Sequence, residues 1–401
     1  MKRMATLLRQ SGRTSMLLIF LIPSAALSLS PGVGGTKAPA FTPKTTALLE
    51  SGYTHLYKAD GVIKCTPDLR SAFDERFANP RLQAQPGRFV WDYWHVTRRE
   101  EDTPQNAIAR DEDLQGWGNQ YTFLRSPASE YFDRALFDRL CDELVEFGRT
   151  QLGCDAISPP WLSLYVDGMS QNFHTDAPHG PYAFVLSLTP EGAHAPVDGP
   201  APGWFEGGET TLLRPWVCDY WRGYDPSRGL EFGSLFETVE PLWNRLTVFD
   251  SRLPHGVAPV RGTRDPRRGR LVLTGWFSDP QPCVSGGLAG ALEDAANEAL
   301  AVALTAFQEQ MASDVSSVTG FLAVRIEIAR DGSVADIRAL GDTLVADPSD
   351  NQGPLGVDED GETVYDDACG DVRRALHDAL EPVRFPEAAA PSAITLPLSF
   401  A

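Results

Sequence analysis

The sequence predicts a mainly β fold with flanking helices, followed by a small C-terminal α+β module, and three observations carry that expectation. Between Leu162 and Phe277 short apolar or alternating segments (162–166, 246–249, 270–277) are separated by Gly- and Pro-rich turns, the pattern of strands. Ahead of them Phe132, Leu136, Leu140, Leu144 and Phe147 recur at helical spacing, one apolar stripe with polar residues between. After Pro282 the composition shifts and the pattern restarts as strand, strand, helix, strand.

In chain order, the first 30 residues carry Lys2, Arg3, Arg9 and Arg13, then the apolar run 16–22, then small residues, with no acid before Glu50. This order reads as a secretory signal peptide cleaved around residues 24–27, placing the mature chain in the secretory pathway or outside the cytoplasm. An organellar transit peptide is the alternative. Pro23 interrupts the apolar run well short of the roughly 18 residues a span needs, so no stable membrane span is expected after processing. Residues 31–48, rich in Gly, Pro and Thr, read as a disordered linker. The 401 residues are enough for two to three domains, and the net charge of −19 argues against a nucleic-acid partner, which needs a broad face of Lys and Arg. The six cysteines include no CxxC pair, which leaves zinc-ribbon and dithiol redox readings without support and disulfide connectivity unread.

From residue 49 the chain becomes globular. The aromatic stretch around His95 reads as a strand, with His95 in a structural role. Ser126-Pro127 offers an N-cap and a first-turn proline for the helix through Phe147, which Gly153 ends. His174-Thr175-Asp176 then puts an imidazole and a carboxylate at i and i+2, a shared face in extended backbone. A second imidazole, His255, follows the strand 246–249. Two His and one carboxylate with open positions make the facial triad of non-haem Fe(II) oxygenases, whose free positions accept a bidentate 2-oxo acid and O2. His179 and His194 compete with His174, but only His174 has a carboxylate at the same-face offset. In the next strand Arg270, Val272, Thr274 and Trp276 share one face and Leu271, Leu273 and Phe277 the other. Arg270 can grip the distal carboxylate of the 2-oxo acid, and Tyr165 can donate its hydroxyl to the same group. Arg261, Arg264, Arg267 and Arg268 belong to the preceding turn. The irregular segment 191–233, with Trp204, Trp216, Tyr220, Trp221 and Tyr224, reads as a substrate-selecting lid with a surface for stacking or extended peptide.

Taken together, Tyr165, the His174-Thr175-Asp176 triplet, the 205–210 segment, His255 with residues 257–260, and Arg270 leading into residues 273–277 resemble the catalytic domain of the Fe(II)- and 2-oxoglutarate-dependent dioxygenases, in its prolyl 4-hydroxylase-like form. The resemblance implies a double-stranded β-helix, a jelly roll over residues 49–282 with the metal at its mouth. It implies His174, Asp176 and His255 as the catalytic metal ligands, and Arg270 and Tyr165 as the cosubstrate-binding residues. It further implies Fe(II), 2-oxoglutarate, O2 and ascorbate as cofactors, and hydroxylation of a C–H bond in a peptidyl residue, proline by analogy, or in a small molecule, with release of succinate and CO2. Halogenating relatives lack the carboxylate that Asp176 supplies, so hydroxylation is the expected outcome. Two other readings stay open: a non-catalytic peptide-binding barrel, and a cupin-like hydrolase or isomerase using Zn(II) or Mn(II).

Residues 283–313 read as a linker and an Ala/Leu-rich helix. In 314–401, Leu322, Val324, Ile326 and Ile328 alternate toward one face, Asp331-Gly332 supplies a hairpin turn, and a helix at 367–380 and a strand at 394–400 complete a β-β-α-β module. This pattern resembles the C-terminal domain of TonB-type energy transducers. The acidic insertion 341–367 and the lack of a proline-rich spanner depart from that family, so the expectation is a stability module or one with a docking partner. Asp358, Asp360 and Glu362 lack EF-hand spacing and read as a solvated loop.

Overall fold

The computed structural model describes residues 46–78, 95–97, 121–195, 204–214, 235–313, 318–346, 356–357, 363–364 and 368–400. The expected targeting segment, most of the linker after it, Trp216 to Tyr224 of the lid, and most of the acidic insertion lie outside the described residues. No helix among the described residues is long and apolar enough to cross a membrane.

The core is built from β1 (Leu56–Asp60), β2 (Tyr121–Pro127), β3 (Cys154–Ile157), β4 (Trp161–Tyr165), β5 (Ser170–His174), β6 (Tyr182–Ser187), β7 (Thr210–Leu213), β8 (Phe236–Val239), β9 (Arg245–Asp250), β10 (His255–Val257) and β11 (Arg270–Pro280). One sheet runs β4-β11-β6-β9-β1 and the other β5-β10-β7-β8, all antiparallel. From β4 to β11 the chain passes back and forth between the two sheets, the winding of a double-stranded β-helix, and β2 pairs with both β4 and β5 to join them. Closing the sheets against each other leaves few free edges and one mouth where side chains from both meet.

Two helices, α1 (Thr66–Ala78) and α2 (Arg134–Gln151), cover the outer face of the first sheet. The stripe Leu136, Leu140, Leu144 and Phe147 packs with Leu162, Leu164, Leu271, Leu273 and Phe277 in one core. Gly148 permits that approach, because a Cβ there would lie 2.7 Å from Phe277 Cδ1. The start of α2 corrects the expected cap. Ser126 and Pro127 end β2, paired with Leu162 and Trp161, and a short helical turn (Ala128–Tyr131) follows. Asp133 is the cap, its carboxylate accepting from the Leu136 amide at 3.0 Å. The strand pairing wins because it satisfies a whole ladder, whereas a cap satisfies one amide.

The C-terminal module consists of β12 (Cys283–Gly286), α3 (Glu293–Ser313), β13 (Val318–Ile328), β14 (Val334–Asp342), α4 (Ala368–Leu380) and β15 (Ser392–Phe400). Its sheet runs Thr46–Ala47, β14, β13, β15, β12. Gly332 turns the β13–β14 hairpin at φ 78°. Leu322, Val324, Ile326 and Ile328 point to α3 and α4, while Phe321, Ala323 and Leu340 on the opposite face join the core of the jelly roll. Residues 283–313, expected as linker and helix, are thus integral to this module, and Leu48, just ahead of the expected boundary at residue 49, is buried in its core.

Polar contacts reinforce the junction and the module itself. Arg252 binds Asp250 at 2.7 Å and reaches the Thr343 carbonyl of the module, and Arg373 pairs with buried Asp342 at 2.7 Å. Cys65, Cys141, Cys154 and Cys283 are free thiols; Cys65 and Cys154 are buried, whereas Cys141 is half-buried.

Candidate metal centre and its cavity

The antiparallel pairing of β5 with β10 sets His174 opposite His255, with ring centroids 4.3 Å apart. Asp176 does not extend β5 as the i, i+2 reading expects. Its backbone (φ −111°, ψ 14°) opens the turn Ala177–His179, and its amide donates to the Ser251 carbonyl at 2.8 Å. That bond draws the carboxylate between the two rings, with Oδ1 3.6 Å from His174 Nε2 and Oδ2 3.3 Å from His255 Nε2. One donor atom from each of the three side chains lies within 4.8 Å of the others.

Both imidazoles are oriented from behind. His174 Nδ1 lies 3.0 Å from the Asn172 carbonyl and His255 Nδ1 3.0 Å from the Leu253 carbonyl. A carbonyl can only accept, so Nδ1 carries the proton in each ring and Nε2 presents its lone pair to the centre. Burial, with His255 nearby, lowers the pKa of His174 and keeps it neutral. Burial works to raise Asp176, but the two imidazoles beside it outweigh that and hold the carboxyl below its ordinary value. The centre therefore offers one imidazole nitrogen from each histidine and an anionic oxygen from Asp176, the donor types that a divalent ion takes.

The triad opens into a cavity of about 240 Å³. Arg270, 1% exposed, also lines it, on β11 directly opposite Tyr165 of β4. The guanidinium sits 4.7 Å from the centre of the Tyr165 ring and donates one hydrogen bond, from Nη2 to Thr210 Oγ1 at 3.1 Å. Nε and Nη1 are buried with no acceptor among the described residues. Burial lowers the pKa of this group, but a guanidinium keeps its proton even so. Gly208, at φ 76°, makes room for it: a Cβ there would stand 3.0 Å from Arg270 Cδ. Of the two glycines of the 205–210 segment, Gly208 thus makes room for Arg270, while Gly207 lies against the Pro259 backbone.

Tyr165 meets Arg270 with its ring. Its hydroxyl donates to Gln171 Oε1 at 3.0 Å, and Gln171 Nε2 donates to His174 Nε2 at 3.1 Å. Sequence reasoning missed Gln171 because it lies three residues before His174, off the two-residue alternation. An irregularity in the β5–β10 register puts Val257 opposite Gln171 while His255 faces His174, which brings Gln171 to the same side. Arg125 and Trp161, also missed, line the cavity as well.

The competing residues are held by other partners. His179 stacks on Trp276 at the rim, rings 4.3 Å apart, and His194 pairs with Glu209 at 3.1 Å. Arg264 faces Asp167, and Arg267 and Arg268 face Asp265. Of the aromatics expected in the lid, Trp204 is described, 38% exposed with Arg268 5.5 Å from its ring centre.

No family model matches the chain, and no curated protein does. Among solved structures it is similar to a prolyl-4-hydroxylase from Pseudomonas putida, at 17% identity and TM-score 0.32, over 56% of this chain and 92% of that one. It is also similar to a prolyl hydroxylase from Trichoplax adhaerens in complex with a hypoxia-inducible-factor peptide fragment, at 16% identity and TM-score 0.30, over 56% and 84%. A third is a viral collagen prolyl hydroxylase from Paramecium Bursaria Chlorella virus-1 with 2-oxoglutarate, at 13% identity and TM-score 0.29, over 56% and 95%.

Proposed function

We propose that this chain is an Fe(II)- and 2-oxoglutarate-dependent dioxygenase that hydroxylates a C–H bond of a peptidyl residue or small molecule, with release of succinate and CO2. The observation that carries the reading is one cavity that joins a His-Asp-His donor set to a buried guanidinium with two nitrogens unpartnered. The donor set fits Fe(II), being two imidazoles and one carboxylate that leave positions open. The orphaned guanidinium fits the distal carboxylate of 2-oxoglutarate, because a buried cation without an acceptor is costly until an anion arrives.

Bound iron would supply O2 activation coupled to oxidative decarboxylation of the 2-oxo acid. The chain's own residues do the rest. His174, Asp176 and His255 hold the metal, and the Asn172 and Leu253 carbonyls fix the two rings so that little reorganisation accompanies binding. Arg270 takes one end of the cosubstrate with Nε and Nη1, while Thr210 and the Tyr165 ring hold the guanidinium in place. Gln171 releases His174 Nε2 when the metal binds, since that lone pair cannot serve both.

The test is anaerobic titration of the full chain with Fe(II) and then 2-oxoglutarate, followed by O2. A metal-to-2-oxo-acid charge-transfer band and O2-dependent succinate release are expected, both lost in His174→Ala and Asp176→Ala. Unchanged succinate release in those variants refutes the reading. Turnover of a substrate without O2 or 2-oxoglutarate would instead support the metal hydrolase or isomerase.

A further inference from the structure

We infer that Arg125 forms a second anion subsite in the same cavity, and that the molecule oxidised there carries a free carboxylate. The inference rests on the oxygenase reading, which assigns both carboxylates of the cosubstrate, one to the metal and one to Arg270. An additional cation in the cavity is then available to the other substrate.

Arg125 lies on β2, in register with Ser163 of β4, two residues along the same strand from Tyr165. Ser163, Tyr165 and Arg125 all line the cavity, so Arg125 stands one row away from the Tyr165–Arg270 pair. From there its guanidinium extends over Trp161, 4.6 Å from the ring centre, and Trp161 is the register partner of Thr274, which lies between Arg270 and Trp276 on β11. The two guanidinium groups thus belong to different rows of the cavity wall, with different aromatic supports.

What sets Arg125 apart is that no counter-charge meets it among the described residues. The chain has 54 acidic and 35 basic residues, and the arginines of the nearby turn face Asp167 or Asp265. Arg125 has no acid or carbonyl acceptor among the described residues, and its Nε is buried without a hydrogen bond. Its placement over an indole face stabilises the cation without using its N–H groups, and the unpartnered Nε is suited to meet a carboxylate. The cavity, about 240 Å³, falls below the roughly 300 Å³ lower end for ligand pockets, so a compact acid suits it better than a bulky anion.

The test is calorimetry on the full chain loaded anaerobically with Mn(II) and 2-oxoglutarate, titrated with the L-amino acids and their primary amides as matched probes. Binding of 2-oxoglutarate, recorded first, reports on the oxygenase reading alone. The acid-to-amide ratio reports on Arg125 and needs no turnover, so the two ideas fail separately. At least one acid is expected to bind about tenfold or more tighter than its amide. Arg125→Gln should bring that ratio near one, and Arg125→Lys should restore part of it. Equal binding of acids and amides, no binding by any acid, or a preference that survives Arg125→Gln would overturn the inference. Where Arg125→Gln fails to fold, the ratio in Arg125→Lys carries the test, and a ratio unchanged from wild type counts against the inference.

Discussion

His174 and His255 face each other across β5 and β10, and the Asp176 carboxylate reaches both Nε2 atoms, at 3.6 and 3.3 Å. The centre depends on three chain segments at once, so no one residue can keep it. Removing any of the three side chains should weaken Mn(II) or Fe(II) binding by a hundredfold or more, roughly the loss of one ligand of three, while the melting temperature of the metal-free chain shifts little. Metal titration against thermal melting of each alanine variant checks both halves.

Arg270 offers a cleaner separation of function from stability. Arg270→Leu should raise the requirement for 2-oxoglutarate about 10- to 100-fold, the worth of a charge-assisted hydrogen-bonded pair. The same change removes a buried cation with two unpartnered nitrogens, so the cosubstrate-free protein should become no less stable and melt at the same temperature or higher. A large fall in melting temperature would show that Arg270 serves the fold.

Gly208→Ala tests the space behind that arginine. An added methyl would meet Arg270 Cδ and Val260 Cγ2, each at 3.0 Å, in a backbone conformation unfavourable to any side chain. The expected outcome is a destabilisation of about 1–3 kcal/mol together with weaker 2-oxoglutarate binding, read by melting and by calorimetry.

The His194–Glu209 pair gives a pH signature. Burial works to raise Glu209, but the His194 hydrogen bond outweighs it and holds the carboxyl below its ordinary 4.5. A carboxyl depressed in the folded state contributes stability that is present above its unfolded value and lost as pH falls through the folded one. The melting difference between wild type and Glu209→Gln should therefore be full at neutral pH and vanish in acid below 4.5.

Within the C-terminal module, Asp342→Ala strands Arg373 in a buried position and should cost about 3–5 kcal/mol. The double replacement of Asp342 and Arg373 by apolar residues should recover much of that loss. Denaturant unfolding of the single and double variants measures the coupling.

Much of the site was legible because strand alternation puts chemistry on one face and packing on the other. Arg270, Thr274 and Trp276 line the cavity and Leu271, Leu273 and Phe277 fill the core, as a period of two requires. Asp176 was found for a reason the structure replaces: its approach to the histidines comes from a turn held by Ser251, a contact between segments far apart in sequence. Gln171 was hidden by a local register irregularity, and Arg125 by lying ahead of the motif-bearing strands. The two-residue strand Thr46–Ala47 has no period at all, and its partner, β14, lies near the other end of the chain.

That last pairing bears on how the polypeptide reaches its native state. Thr46 and Ala47 leave the ribosome long before Arg338 and Ala339, and β12 long before Thr395, so the edges of the terminal sheet wait unpaired while the jelly roll completes itself. Synthesis that stops short of Ser392 leaves β13 and β12 without the strand that lies between them, and quality-control proteases would meet such a product as an open sheet.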